Sequence, residues 1–307
     1  MNRRDFIVKT AQTGTALSIL GLTAACSPKE KELFFKISLA EWSLHRMLKK
    51  KEMDHLDFAA TARKFGCEGV EYVNGFFFKK AKDISYLNEM NSRAKSEGVD
   101  NVLIMIDREG SMAHHETSER LKAIENHYKW VDAAHHLGCH AIRVNLAGGI
   151  DKTEATKAAI DSLTKLSDYA KQAKINVLVE NHGGFSSNGA WMHGVFSQIQ
   201  NSNCGTLPDF GNFCIKKDIA KNCMEDYDRY VGMKELLPFA KAVSAKSRNF
   251  DSLGNEIETD YLKVMKMVKE VGYTGFVGIE YEGANVSEYK GIELTRDLLI
   301  KVGNQIS

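Results

Sequence analysis

The chain has 307 residues, 43% of them hydrophobic and 26% charged, with 41 Lys and Arg set against 40 Asp and Glu for a net charge of +1. That composition gives one large domain ample core and excludes disorder, coiled coil and collagen-like repeats. The balanced charge excludes the bulk electropositivity of a nucleic-acid or anionic-membrane binder, so a small, roughly neutral substrate is expected.

The first thirty residues read as an address rather than as part of the fold. Arg3-Arg4 with Phe6 resembles a twin-arginine export signal, and Thr10 to Ala25 is its apolar run. Leu22-Thr23-Ala24-Ala25-Cys26 resembles a lipobox in which Cys26 is lipidated after cleavage. The run is too short and too rich in Gly, Ser and Thr for a membrane span, which takes about 20 strongly apolar residues. We therefore expect residues 1–30 to be signal and tether and 31–307 to be the folded domain. The protein is expected to be exported, either periplasmic or anchored to the membrane through Cys26. Beyond Cys26 remain Cys67, Cys139, Cys204, Cys214 and Cys223, with no C-x-x-C pair. A Cys214–Cys223 bridge is open to an exported chain, but buried free thiols suit a core of this size better.

From Phe34 onward, short β-rich runs alternate about eight times with longer segments of helical apolar spacing. Strands are expected at Phe34–Leu39, Gly69–Tyr72, Val102–Ile106, Ala141–Asn145, Asn176–Glu180, Gly205–Asp209, Ala242–Lys246 and Phe276–Glu280. Helices are expected at Asp54–Phe65, Ser85–Ser96, Glu116–Leu137, Thr153–Ala173, Trp191–Gln200, Asp226–Phe239, Tyr261–Val271 and Ile292–Val302. Gly66, Gly98, Gly138 and Gly272 stand where left-handed helix caps belong. Near-continuous apolar strands such as Asn176-Val177-Leu178-Val179 belong to parallel sheets covered on both faces. The expectation is an α/β fold, a single (β/α)8 TIM barrel preceded by a cleavable signal segment. An open doubly wound sheet is the alternative, but the chain carries neither G-x-G-x-x-G nor G-x-x-x-x-G-K.

In such a barrel the C-terminal strand ends converge on one cavity. Here they are strongly polar: Glu41 and Trp42, Glu71, Asp107, Arg143 and Asn145, then Glu180-Asn181-His182, Asp209-Phe210-Gly211-Asn212, Ser244-Ala245-Lys246 and Glu280-Tyr281-Glu282. In the second half an apolar run stops at a carboxylate at Glu180, Asp209 and Glu280. Converging carboxylates repel unless a cation holds them, so a divalent metal is expected on these residues. Oxygen donors without thiolate suit Mn²⁺ or Mg²⁺, with Zn²⁺ open if His182 joins. The plainer alternative has the acids capping helices or pairing with Arg143 and Lys246. His114-His115 and His135-His136 lack a matching acid motif and read as surface or packing residues.

At these residues the sequence resembles the sugar phosphate isomerase/epimerase superfamily, the xylose-isomerase-like barrels. The resemblance runs from about Phe34 to the end and is sharpest at Val179-Glu180-Asn181-His182-Gly183-Gly184, Pro208-Asp209-Phe210-Gly211-Asn212 and Gly278-Ile279-Glu280-Tyr281-Glu282-Gly283. It implies that Glu180, Asp209 and Glu280 bind one divalent metal and that Glu180 and Glu280 also shuttle a proton. The family's fourth ligand, a histidine, is replaced by Ser244 in Ser244-Ala245-Lys246-Ser247. His182, two residues beyond Glu180 on an extended strand, or Asp251 in a following loop, is then the candidate replacement.

These residues permit proton abstraction beside a carbonyl through an enediolate, as in isomerisation or epimerisation of a sugar or keto-sugar. Lys246 is the local cation for the developing oxyanion, and His182, Arg143, Asn212 and Trp42 are the expected substrate contacts. Two alternatives stay open at this point. The same first step leads to β-elimination from a keto-glycoside in a lyase, and loss of the metal histidine suits a non-catalytic carbohydrate-binding lipoprotein. The endonuclease branch of the superfamily relies on more histidines and a basic groove, so no nucleic-acid partner is expected.

Overall fold

The computed structural model describes residues 32–307. Arg3, Arg4 and Cys26 lie outside the described residues, and with them the export and lipidation readings. No described helix is long and apolar enough to cross a membrane.

Eight parallel strands form one sheet: β1 (Lys36–Ala40), β2 (Gly69–Val73), β3 (Asp100–Met105), β4 (Ala141–Val144), β5 (Asn176–Glu180), β6 (Cys204–Leu207), β9 (Val243–Ser247) and β10 (Phe276–Tyr281). The order is β6-β5-β4-β3-β2-β1-β10-β9. Parallel bridges Thr206–Ala240 and Asp209–Ser244 join β9 to the β6 side and close the ring. The chain is therefore the TIM barrel the alternation implies, not an open sheet.

Why these segments make a barrel follows from their two-residue period. On β5, Val177 and Val179 pack outward beneath the helices, whereas Leu178 faces inward with Leu103, Met105, Ala141, Leu207 and Ala242 in a separate buried cluster. The lumen is a packed core in its lower part. Around it the helices bury one face each; α9 (Glu288–Ile306), for example, buries Ile292, Leu298, Leu299 and Val302. Gly98 and Gly138 end the helices Ile84–Glu97 and Thr117–Leu137 in left-handed geometry, as their positions imply.

Gly278 on β10 serves a tighter requirement. A Cβ there would stand 2.5 Å from Glu71 Oε1, so the bare backbone makes room for a carboxyl inside the lumen. The Ser38 hydroxyl donates to that oxygen at 2.5 Å.

The sequence reading missed the segment after β6. Between β6 and the helix expected from Asp226 a hairpin forms from β7 (Cys214–Lys217) and β8 (Cys223–Asp226); the helix itself is present as α7 (Arg229–Leu236), extended by a 3-10 turn to Phe239. Short-range alternation over four residues is too weak a signal beside an apolar helix. The expectation of free thiols is also corrected at this point, because Cys214 and Cys223 form a disulfide. They sit on a hairpin outside the core, where packing does not enclose a thiol; Cys67 and Cys139 are buried and free as expected.

Candidate active site

The inward-facing period of the strands sets out the site one side chain at a time. Arg143 comes from β4, Glu180 from β5, Ser244 and Lys246 from β9, and Glu280 from β10, all buried at the C-terminal end of the barrel. Asp209 lies two residues past β6. Its backbone N–H donates to Asn181 Oδ1 at 2.7 Å, and Asn181 Nδ2 donates back to the Asp209 carbonyl at 2.9 Å. Asp209 Oδ1 accepts the N–H groups of Gly211 and Asn212 at 2.8 and 2.9 Å, which leaves Oδ2 facing β9.

Oxygens of Glu180, Asp209 and Glu280 then lie within 4.8 Å of one another. Three buried carboxylates at this spacing need positive company. Lys246 Nζ donates to Glu280 Oε1 at 2.6 Å and stands 3.4 Å from Glu282 Oε2 and 3.7 Å from Asp209 Oδ2. Arg143 bridges Asp107 and Glu180, both at 2.9 Å. Convergence of the three carboxylates and pairing with Arg143 and Lys246 are thus both true of the same acids.

Carboxylates still outnumber cations here, and protonation shows it. Burial pushes Glu180 up to about 7 against the pull of Arg143, and Asp209 up to about 7 against the pull of Lys246. Deeper in the lumen, burial raises Glu71 to about 8. Burial disfavours the Lys246 ammonium, but Asp209, Glu280 and Glu282 outweigh it and hold its pKa above the ordinary value. Glu282 goes the other way, drawn down to about 2 by Lys246 and Arg248 in spite of its burial.

Two contacts test whether a metal fits. The Ser244 hydroxyl lies 2.7 Å from Asp209 Oδ2 and 3.0 Å from Glu280 Oε2, yet it has one proton and satisfies only one of them. Glu180 Oε2 is buried with Arg143 Nε at 2.9 Å, an ion pair that lacks hydrogen-bond geometry. Excess negative charge, under-satisfied oxygens and an all-oxygen donor set fit a hard divalent cation of the Mn²⁺ or Mg²⁺ kind. The proposed nitrogen replacement does not materialise. His182 lies outside the three-residue cluster, and exposed Asp251 spends its carboxylate on Leu253 and Asn255 of its own loop.

A cavity of about 700 Å³ opens over this cluster, lined by Trp42, Asp107, Arg143, His182, Glu280 and Glu282 among others. Trp42 Nε1 donates to Glu282 Oε1 at 2.7 Å, which fixes the indole at the wall. Asn212 Nδ2 holds Glu180 Oε1 at 2.9 Å. The structure therefore brings every expected site residue to one end of the barrel, with a change of emphasis: Arg143 and Asn212 spend their donors on Glu180. Sequence reasoning named Asp107, Asn181 and Glu282 as strand-end residues without giving them work. They orient Arg143, Asp209 and Lys246, a task visible only once the partners are adjacent.

The model of the xylose isomerase-like TIM barrel family matches residues 59–301, and the chain belongs to that family. No curated protein matches it by sequence. Similar solved structures include a D-psicose 3-epimerase from Clostridium cellulolyticum H10 with D-tagatose, at 12% identity and TM-score 0.65, covering 89% of this chain and 96% of that one. A xylose isomerase-like TIM barrel protein from Mycobacterium smegmatis in complex with magnesium is 15% identical at TM-score 0.65, covering 89% and 98%. The 3-keto-D-glucoside 4-epimerase of E. coli is 14% identical at TM-score 0.62, covering 87% and 99%. At these identities the likeness is one of fold.

Proposed function

We propose that the protein is a sugar isomerase or epimerase that moves a proton beside a carbonyl. The observation that carries this reading is the convergence of Glu180, Asp209 and Glu280 within 4.8 Å at the mouth of a barrel whose cavity is floored by charge and walled by Trp42 and His182. Solved structures of this fold named as sugar epimerases support it.

One carboxylate takes the proton of a C–H bond next to the substrate carbonyl, and the electron pair forms the carbon–carbon double bond of an enediolate. Return of a proton to the opposite face gives the epimer, and return to the neighbouring carbon gives the isomer. Glu280 lines the cavity and Glu180 lies beside it, so this pair holds the proton on its two sides. Lys246 donates to Glu280 and adds positive charge near the enediolate oxygen, while Arg143 and Asn212 fix the Glu180 carboxylate. A divalent ion held by Glu180, Asp209 and Glu280 would supply Lewis-acid polarisation of the carbonyl. Trp42 and His182 contact the sugar.

Deuterium from solvent should enter a keto-sugar at the carbon next to the carbonyl, and elemental analysis should find a stoichiometric divalent metal. Release of free aglycone from a keto-glycoside would turn the reading to elimination. No exchange across a broad panel, with no bound metal, leaves a carbohydrate-binding protein. Export is the proposed location; a disulfide at Cys214–Cys223 supports an oxidising compartment.

A further inference from the structure

Beside the acidic cavity lies a second opening of about 280 Å³, and no carboxylate contributes to its wall. Lys217, Lys221 and Arg248 line it together with His182 and Asn212. Arg248 shares its charge with Glu258 at 3.3 Å and Glu282 at 3.5 Å. The ammonium groups of Lys217 and Lys221 have no partner among the described residues. Exposed lysines are ordinary on a surface; two of them facing an acid-free pocket, in a chain with 40 Asp and Glu, are a local separation of charge.

The backbone under these lysines is tied at both ends of the hairpin. They sit on the β7–β8 hairpin, which is cross-linked by Cys214–Cys223. Its turn is closed by Asp218, whose carboxylate accepts Asn222 N and Nδ2 at 2.8 and 3.0 Å. Holding the lysine-bearing backbone in place lowers the ordering cost of receiving a charged group. Two side chains join the pocket to the chemistry. His182 lines both cavities, and Asn212, which lines this one, is bonded to Glu180.

We infer that the hairpin pocket seats an anionic substituent of the sugar, a carboxylate or phosphoryl group, while the carbonyl end lies at Glu280. This rests on the proposed isomerase reading and replaces the neutral substrate that bulk charge suggests. Lys217 and Lys221 vanish in a whole-chain balance of +1.

Titration calorimetry of the full chain with D-fructose, D-fructuronate and D-fructose 6-phosphate tests it. At least one charged sugar should bind about tenfold more tightly than D-fructose, as two exposed ion pairs acting together allow, and salt should erode the difference. Which of the two wins separates carboxylate from phosphoryl. In the Lys217→Ala/Lys221→Ala variant charged and neutral sugars should bind alike, and Lys217→Arg/Lys221→Arg should restore the preference. Equal affinities in the unaltered protein, a preference that survives the double alanine change, or no binding of either charged sugar overturns the inference. Solvent-deuterium exchange judges the reaction separately: exchange without charge preference removes only this pocket's role, and charge preference without exchange removes only the isomerase reading.

Discussion

Two buried acid sites in this barrel begin from the same physics and end differently. Glu41, just after β1, is fully buried; its Oε2 accepts the Val73 N–H at 2.8 Å and its Oε1 lies 3.4 Å from His55 Nε2. Burial raises Glu41 well above the carboxylate range and lowers His55 to about 4, so it favours the uncharged form of both partners. Glu180, Asp209 and Glu280 are just as deep, but Arg143 and Lys246 stand among them and a cavity opens above. An enclosed carboxyl is therefore no mark of function by itself. Its company decides whether charge persists where a substrate can meet it.

The comparison breaks most sharply in the rates. Glu180→Gln should lower deuterium exchange by about 10³-fold, the scale of a lost acid–base group, whereas Glu41→Gln should leave it within about twofold. Comparable losses in both variants would show that the Glu41–His55 pair is part of the chemistry.

Next comes stability. Lys246→Met leaves Glu280 and Asp209 buried without their ammonium and should cost about 3–5 kcal/mol in urea unfolding, the usual penalty for breaking a buried pair. Adding Glu280→Gln to Lys246→Met should recover part of that loss, because the uncompensated charge goes with it. A Lys246→Met protein as stable as the parent would mean that the carboxylates are balanced by protons alone.

The architecture was legible because every strand is bounded by loops and carries outward apolar residues at a fixed period, which a parallel barrel demands of its sequence. The same period exposed Glu180, Asp209 and Glu280, since an apolar run that stops at a carboxylate has nowhere to put it but the mouth. Pairings such as Arg143 with Glu180 join strands 37 positions apart and leave no local trace, so one set of acids read as two rival explanations. The β7–β8 hairpin was hidden for another reason. β8 is exposed along its whole length and β7 is at most half-buried, so neither shows an alternating burial pattern to read. Ser244 was found as a departure from a family motif, but its place between two carboxylates needed coordinates.

The smallest expected effect, and the finest test of the comparison, is pH dependence. An acid whose folded pKa is raised stabilises the fold fully below its unfolded value, and that contribution is lost as pH rises through the folded pKa. For Glu180 and Asp209 the loss runs from the free carboxylate range up to about 7 and for Glu71 up to about 8. The lowered values of His55, His127, His140 and His182 work in the opposite sense, most strongly as pH falls through the free imidazole value of about 6.5 and fading above it. Between about pH 6.5 and 8 the folded chain therefore holds more protons than the unfolded one, and the metal-free protein should lose stability as pH rises. A Mn²⁺ ion held as proposed would compete with the protons on Glu180 and Asp209, so its addition should flatten their share of the slope and release protons at pH 6.5. Glu41 and Glu71, outside the three-residue cluster, should keep titrating as before. A slope that Mn²⁺ leaves untouched would assign the whole effect to those two residues and remove the distinction between an acid that is merely enclosed and acids gathered for a cation.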